Sequence, residues 1–228
     1  MSESDAATGN GLTSAAFQPQ TGTWLYRFVS WFTRQMMRLL FGVTIEGMEN
    51  LPRTGPVLIV SNHESYIDPP LYGSMIDTRP LTFVARSGLF GFKPFGWFIG
   101  ALNAIPLREK ESDIVAIKAL VKRLEEGGAV LIFPEGSRSP DGRMTEFKRG
   151  AALLLRKSKC DVLPAAVDGA HEAWPRGGFP VPRRGPGLYL KFGRLIPQAE
   201  LARLGPDEAL RRLHDEVAAL AASIPAKR

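Results

Sequence analysis

Three short stretches of this 228-residue chain carry side chains suited to proton transfer and anion binding. The first is Asn62-His63-Glu64-Ser65-Tyr66-Ile67-Asp68-Pro69-Pro70. Histidine is a general base near neutral pH. It works best beside a carboxylate that fixes its tautomer and stabilises the imidazolium. Asp68 can play that part if the chain turns back tightly onto His63. The competing reading makes Asp68 a helix N-cap ahead of prolines in the first turn, and His63 a hydrogen-bonded structural residue. The second stretch is Pro134-Glu135-Gly136-Ser137-Arg138-Ser139, followed by Phe147-Lys148-Arg149-Gly150. A glycine turn with a hydroxyl and a guanidinium can hold a phosphate through backbone N–H groups and charge-assisted bonds, and Lys148 can add to it. The competing reading is a solvated surface loop. The third is Ile105-Pro106-Leu107-Arg108, an apolar run ending in a cation.

Other chemistries find little support. No G-x-S-x-G nucleophile elbow occurs, and Cys160, the only cysteine, has no histidine near it in sequence. The three histidines, His63, His171 and His214, show no metal-binding H-E-x-x-H spacing, so no metal ligand is assigned. Water could still replace another acceptor at His63, which would make the chain a thioester hydrolase.

The elements that must position these residues follow from short apolar runs and helical spacing. Strands are expected at 56–61, 81–85, 129–133, 162–167 (interrupted by Pro164) and 188–192; helices at 113–125, 150–159 and 207–222. Strands alternating with helices predict a single sheet flanked by helices, an α/β fold. The first two stretches sit just past the carboxyl ends of strands, where sites of open α/β sheets gather.

Ahead of these elements lies Trp24–Phe41, WLYRFVSWFTRQMMRLLF. On a helix Arg27, Arg34 and Arg38 form one narrow stripe, opposite Leu25, Phe28, Val29, Phe32, Met36, Leu39 and Leu40. Three arginines at a bilayer centre would each cost about 2.5–3.5 kcal/mol. An interfacial placement avoids that cost and puts the tryptophans at headgroup level. Packing of the helix on its own domain is the alternative. Residues 87–107, dense in Phe90, Phe92, Phe95, Trp97 and Phe98, are a second membrane-contacting segment, a greasy substrate channel, or core. Two prolines and four glycines disfavour a straight spanning helix there. The expected organisation is therefore a loose tail over 1–20, an interfacial helix over 21–43 and one domain over 44–228.

A formal net charge of +6 suggests an anionic partner: a membrane surface, a phosphorylated small molecule or nucleic acid. Nucleic acid is disfavoured, because no recognition motif occurs and the aromatics cluster with aliphatics. A single cysteine fits a reducing compartment, and the acidic opening Met-Ser-Glu-Ser-Asp does not read as a secretory leader.

The motifs together resemble those of the 1-acylglycerol-3-phosphate acyltransferases, the glycerolipid acyltransferase family. Its His-x4-Asp motif matches NHESYIDP at 62–69, and its Phe-Pro-Glu-Gly-Thr/Ser-Arg-Ser motif matches FPEGSRS at 133–139. IPLR at 105–108, LPAAV at 163–167 and FKRG at 147–150 match its remaining motifs. Asn103 stands where the family often has glycine; Arg86 and Gly88 stand where it often has lysine and glutamate. The resemblance implies the glycerolipid acyltransferase fold and acyl transfer from acyl-CoA or acyl carrier protein to a lysophospholipid hydroxyl, without a cofactor. Lysophosphatidic acid is the default acceptor; lyso-ornithine lipid or another lysolipid is the alternative, and a non-catalytic lipid-binding protein is the rival of another class. His63 and Asp68 are the implied catalytic pair. Arg86, Arg108, Glu135, Gly136, Ser137, Arg138 and Lys148 are the implied substrate-binding residues, with Glu135 organising its loop. The implied location is the cytoplasmic face of the cell membrane, against its anionic surface.

Overall fold

The computed structural model describes residues 24–107, 113–175, 177 and 187–225. Seven strands form one mixed sheet: β1 (Val43–Glu46), β2 (Val57–Ser61), β3 (Leu81–Arg86), β4 (Ala104–Leu107), β5 (Ala129–Ile132), β6 (Asp161–Asp168) and β7 (Leu188–Phe192). Their order across the sheet is β1-β7-β6-β2-β5-β3-β4, and only the β6–β7 pair is antiparallel. The helices are α1 (Trp24–Phe41), α2 (Asp68–Met75), α3 (Lys93–Ala101), α4 (Asp113–Glu125), α5 (Arg149–Ser158), α6 (Ala170–Ala173), α7 (Gln198–Ala202) and α8 (Pro206–Ala222). Successive side chains of a strand point to opposite faces. In β2, Val57 and Ile59 join α1, α2 and α3 on one side, while Leu58 and Val60 join α4, α5 and α8 on the other. A parallel strand covered on both faces is a continuous apolar run, which is why VLIVS is buried throughout.

Pro164 lies inside β6 although proline cannot donate to a ladder. The strand changes partner around it: Val162 bridges Ile196, Gly193 N–H donates to the Pro164 carbonyl, and pairing with β7 begins only at Ala165. The missing donor falls at this handover.

Two features shape the space past the strand ends. β3 and β5 pair only over Leu81–Phe83 with Ala129–Leu131, whereas β3 runs on beside β4 as far as Arg86. The sheet therefore opens between the carboxyl ends of β3 and β5. The chain enters β4 through Asn103, whose φ of 65° lies in the left-handed region where glycine and asparagine are most at home.

α1 settles on the domain with the less apolar of its faces. Tyr26, Val29, Ser30, Thr33 and Phe41 are buried, and the Tyr26 hydroxyl donates to the Gly73 carbonyl. Arg34 does not join a free cationic stripe: its Nε donates to the Ser74 carbonyl and it pairs with Asp77 at 2.8 Å. Arg27 and Arg38 stay exposed. Trp24, Phe28, Trp31, Phe32 and Leu39 face outward, as do Phe92 and Trp97 around α3. One face of the helix thus packs on its own domain, and the opposite, aromatic face is exposed. Among the described residues no helix is long and apolar enough to cross a membrane. The 1–20 tail lies outside the described residues.

Candidate active site

β2 ends at Ser61, and the chain must turn sharply to start α2. Asp68 holds that turn together. Its carboxylate makes no capping bond to its own helix. Its Oδ2 instead reaches back to accept the N–H groups of Glu64 (2.6 Å) and Ser65 (2.8 Å) and lies 2.8 Å from His63 Nδ1. Asp68 is fully buried, while His63 keeps 16% of its side chain accessible. The capping reading of Asp68 is thereby replaced by a His63–Asp68 pair. With Nδ1 facing Asp68, Nε2 is the imidazole nitrogen left for other partners. The ring stacks on Phe133 with centroids 4.1 Å apart.

The loop after β5 is joined to this turn by Glu135, which is only 2% exposed. Its Oε1 accepts the His63 N–H at 2.7 Å, and its Oε2 accepts both the Thr145 N–H and the Thr145 hydroxyl at 2.8 Å. Ser139 N–H donates to the His63 carbonyl at 2.7 Å. Both Glu135 oxygens are committed to protein donors. These bonds make Glu135 an organiser of the loop, joining the His63 turn to Thr145.

A cavity of about 530 Å³ opens at His63, within the size range of small-molecule sites. Arg86, Gly136, Ser137, Arg138 and Lys148 line it beside His63 and Tyr66. Gly136 has φ 67°, and a Cβ there would lie 2.8 Å from Lys148 Nζ. The ammonium thus rests against the bare backbone of the glycine turn. The Arg138 guanidinium stacks 3.4 Å above the Tyr66 ring, which leans edge-on against Trp174. Deeper in, the cavity is lined by Phe83, Ile117, Leu120, Leu131 and Leu154, at the opening between β3 and β5. Arg108 lies outside the described residues.

Sequence reasoning passed over two residues. Tyr66 forms part of the cavity wall, yet within NHESYID nothing marks it except aromatic character. Glu64 is buried beside Asp68; its Oε2 accepts the His171 N–H at 3.1 Å. Burial first, then the charge of Asp68, pushes its carboxyl up to about 9, so it is protonated at neutral pH.

The cavity thus combines cationic side chains, an imidazole held by a buried carboxylate and an apolar inner wall. The family model described as Acyltransferase matches residues 42–168. The chain is 33% identical over 140 residues to a chloroplastic 1-acyl-sn-glycerol-3-phosphate acyltransferase of Arabidopsis thaliana, covering 60% of this chain and 39% of that protein. It is 34% identical over 157 residues to a 1-acyl-sn-glycerol-3-phosphate acyltransferase of Pseudomonas aeruginosa, covering 67% and 58%. A Bacillus subtilis protein of the same name is 29% identical over 82% of this chain and 89% of its own length. The chain thus spans about two fifths of the plant relative and most of the Bacillus one. The crystal structure of PlsC from Thermotoga maritima, a 1-acyl-sn-glycerophosphate acyltransferase, has the same fold, with a TM-score of 0.74 at 24% identity over 89% of this chain and 81% of that one.

Proposed function

Because the chain belongs to the acyltransferase family, we propose that it transfers an acyl group from a thioester to the free hydroxyl of a lysophospholipid, converting lysophosphatidic acid to phosphatidic acid. The observation that carries this reading is the buried Asp68 carboxylate 2.8 Å from His63 at the wall of a cation-lined cavity. His63 Nε2 takes the proton of the acceptor hydroxyl as its oxygen attacks the thioester carbonyl. The tetrahedral intermediate collapses with cleavage of the C–S bond, and the imidazolium returns the proton to the departing thiolate. Asp68 orients the ring and stabilises its charge. No covalent acyl-enzyme and no cofactor enters this scheme. General-base assistance contributes about 10²–10⁴-fold; positioning of the two substrates supplies much of the rest.

Lys148, Arg138, Ser137, the Gly136 turn and Arg86, with Arg108 from the neighbouring segment, bind the acceptor phosphate. The apolar inner end receives the donor chain. Acyl-CoA is the proposed donor and acyl carrier protein its alternative carrier. The outward aromatic side chains of α1 and α3 meet the lipid interface at the cytoplasmic face, with Arg27 and Arg38 against anionic headgroups.

The test is free-thiol release from acyl-CoA by detergent-solubilised protein, with and without lysophosphatidic acid, beside His63→Ala. Release that needs both acceptor and His63 is expected. Near-normal turnover by His63→Ala would overturn the mechanism. Thiol release without acceptor, accompanied by free fatty acid, would make the protein a hydrolase.

A further inference from the structure

A second cavity, of about 560 Å³, lies between α1 and α3. Its lining is aliphatic and aromatic apart from Thr33 and the Tyr66 hydroxyl; Val29, Met36 and Leu40 come from α1, and Phe95 and Trp97 from α3. Tyr66, Pro70 and Phe95 also line the His63 cavity. The two spaces therefore adjoin at these residues, beside the imidazole. The cations belong to the first cavity; no charged residue lines the second.

We propose that the groove between α1 and α3 binds the hydrocarbon chain of the acceptor lysolipid. This rests on the acyl-transfer reading above. That reaction brings two amphiphiles together, each with a hydrocarbon chain, and their reactive ends must meet at His63 Nε2. The acceptor phosphate belongs with the cations of the His63 cavity, whose apolar inner end is taken by the donor chain. The acceptor chain needs a different apolar exit from the same point, and the groove past Tyr66 and Pro70 is contiguous with it. It is also flanked by the exposed aromatics Phe28, Phe32 and Trp97, so a lysolipid can slide in from an interface with its chain still in apolar surroundings. Tyr66 is then the junction residue, which touches the chain on one side and carries the phosphate-binding Arg138 on the other.

Val29→Phe narrows the groove without touching the His63 cavity. Excluding about two methylene groups from apolar contact weakens binding roughly tenfold. The expected result is a rise of about that size in KM for stearoyl lysophosphatidic acid. KM for the hexanoyl acceptor and the preference among donor chain lengths should not change. Should Val29→Phe not fold, Met36→Phe at the outer rim carries the same test. An activity-independent arm uses His63→Ala and a lysophosphatidic acid brominated along its chain. The bromines should quench the fluorescence of the groove tryptophans Trp97 and Trp174, and Val29→Phe, or Met36→Phe in its place, should reduce that quenching. A changed donor-length preference would give the groove to the donor chain and overturn the proposal. Unchanged KM and unchanged quenching would leave the groove without a ligand and also overturn it. Retained, groove-dependent quenching with no thiol release from any acceptor would refute the reaction while sustaining the groove as a lysolipid site.

Discussion

Asp68→Asn isolates the charge of the His63–Asp68 pair from its geometry. One carboxylate oxygen, Oδ2, serves the Glu64 N–H, the Ser65 N–H and His63 Nδ1. An asparagine with its amide oxygen in that position can still accept all three. The turn and the tautomer are then kept and the negative charge is lost. At an effective dielectric of about 20, unit charges about 4 Å apart attract by about 4 kcal/mol. Each 1.36 kcal/mol is about tenfold in rate, so kcat should fall by about 10³. The amide nitrogen takes the place of Oδ1, which is buried without a hydrogen-bond partner, so the melting temperature should fall, though less than in Asp68→Ala. Asp68→Ala strands buried N–H groups at about 1–3 kcal/mol each and should lower both activity and stability. Thiol release at saturating acceptor, with thermal melts of all three proteins, makes the comparison. A loss of less than tenfold in a well-folded Asp68→Asn would show that charge stabilisation of His63 is not what the carboxylate does.

Three further outcomes follow from the site. Glu64 has its carboxyl raised above the ordinary 4.5 to about 9 by burial, then by the charge of Asp68, with Asp168 and Glu172 adding to it; stability it contributes is full below pH about 4.5 and is lost as pH rises through about 9, so melting temperature should decline across that window and Glu64→Gln should flatten the decline. Glu135→Ala leaves the His63 and Thr145 N–H groups without their acceptor and should destabilise by about 2–4 kcal/mol, measured by urea unfolding. Gly136→Ala meets both a positive φ and the Lys148 ammonium; it should raise the acceptor KM about tenfold through displacement of Lys148, and Lys148→Ala should do the same with reduced salt sensitivity.

The parts of this molecule that a linear sequence makes legible are those whose physics is local. The β2 and β5 strands are short uninterrupted apolar runs because both their faces are covered, and α8 carries a complete helical period. β1 gives no such signal: its four residues alternate between half-buried and exposed and are fixed by pairing with Leu188–Lys191, far along the chain. α3 holds Pro94, Gly96 and Gly100 within nine residues, a composition that argues against a helix. Pro94 sits in the first turn, where no N–H is missed, and Gly96 is required because a Cβ would come within 2.8 Å of the Phe90 backbone. The face that α1 buries was hidden for a related reason. Its apolar moment points away from the domain, and the helix is held by Arg34 on Asp77 and by Tyr26 on Gly73.

The site divides along the same line. His63 and Asp68 are readable as a pair because one turn closes their contact. Glu135 stands in a loop whose composition suggests anion binding, but its donors come from residues 63 and 145. Those two partners, one on each side of it in sequence, make Glu135 the clasp that holds the His63 turn against the loop after β5. Removing that clasp should therefore disturb acceptor binding and proton transfer together, whereas removing Lys148 should disturb acceptor binding alone. The split between KM and kcat in the two variants distinguishes a positioning carboxylate from one that contacts substrate.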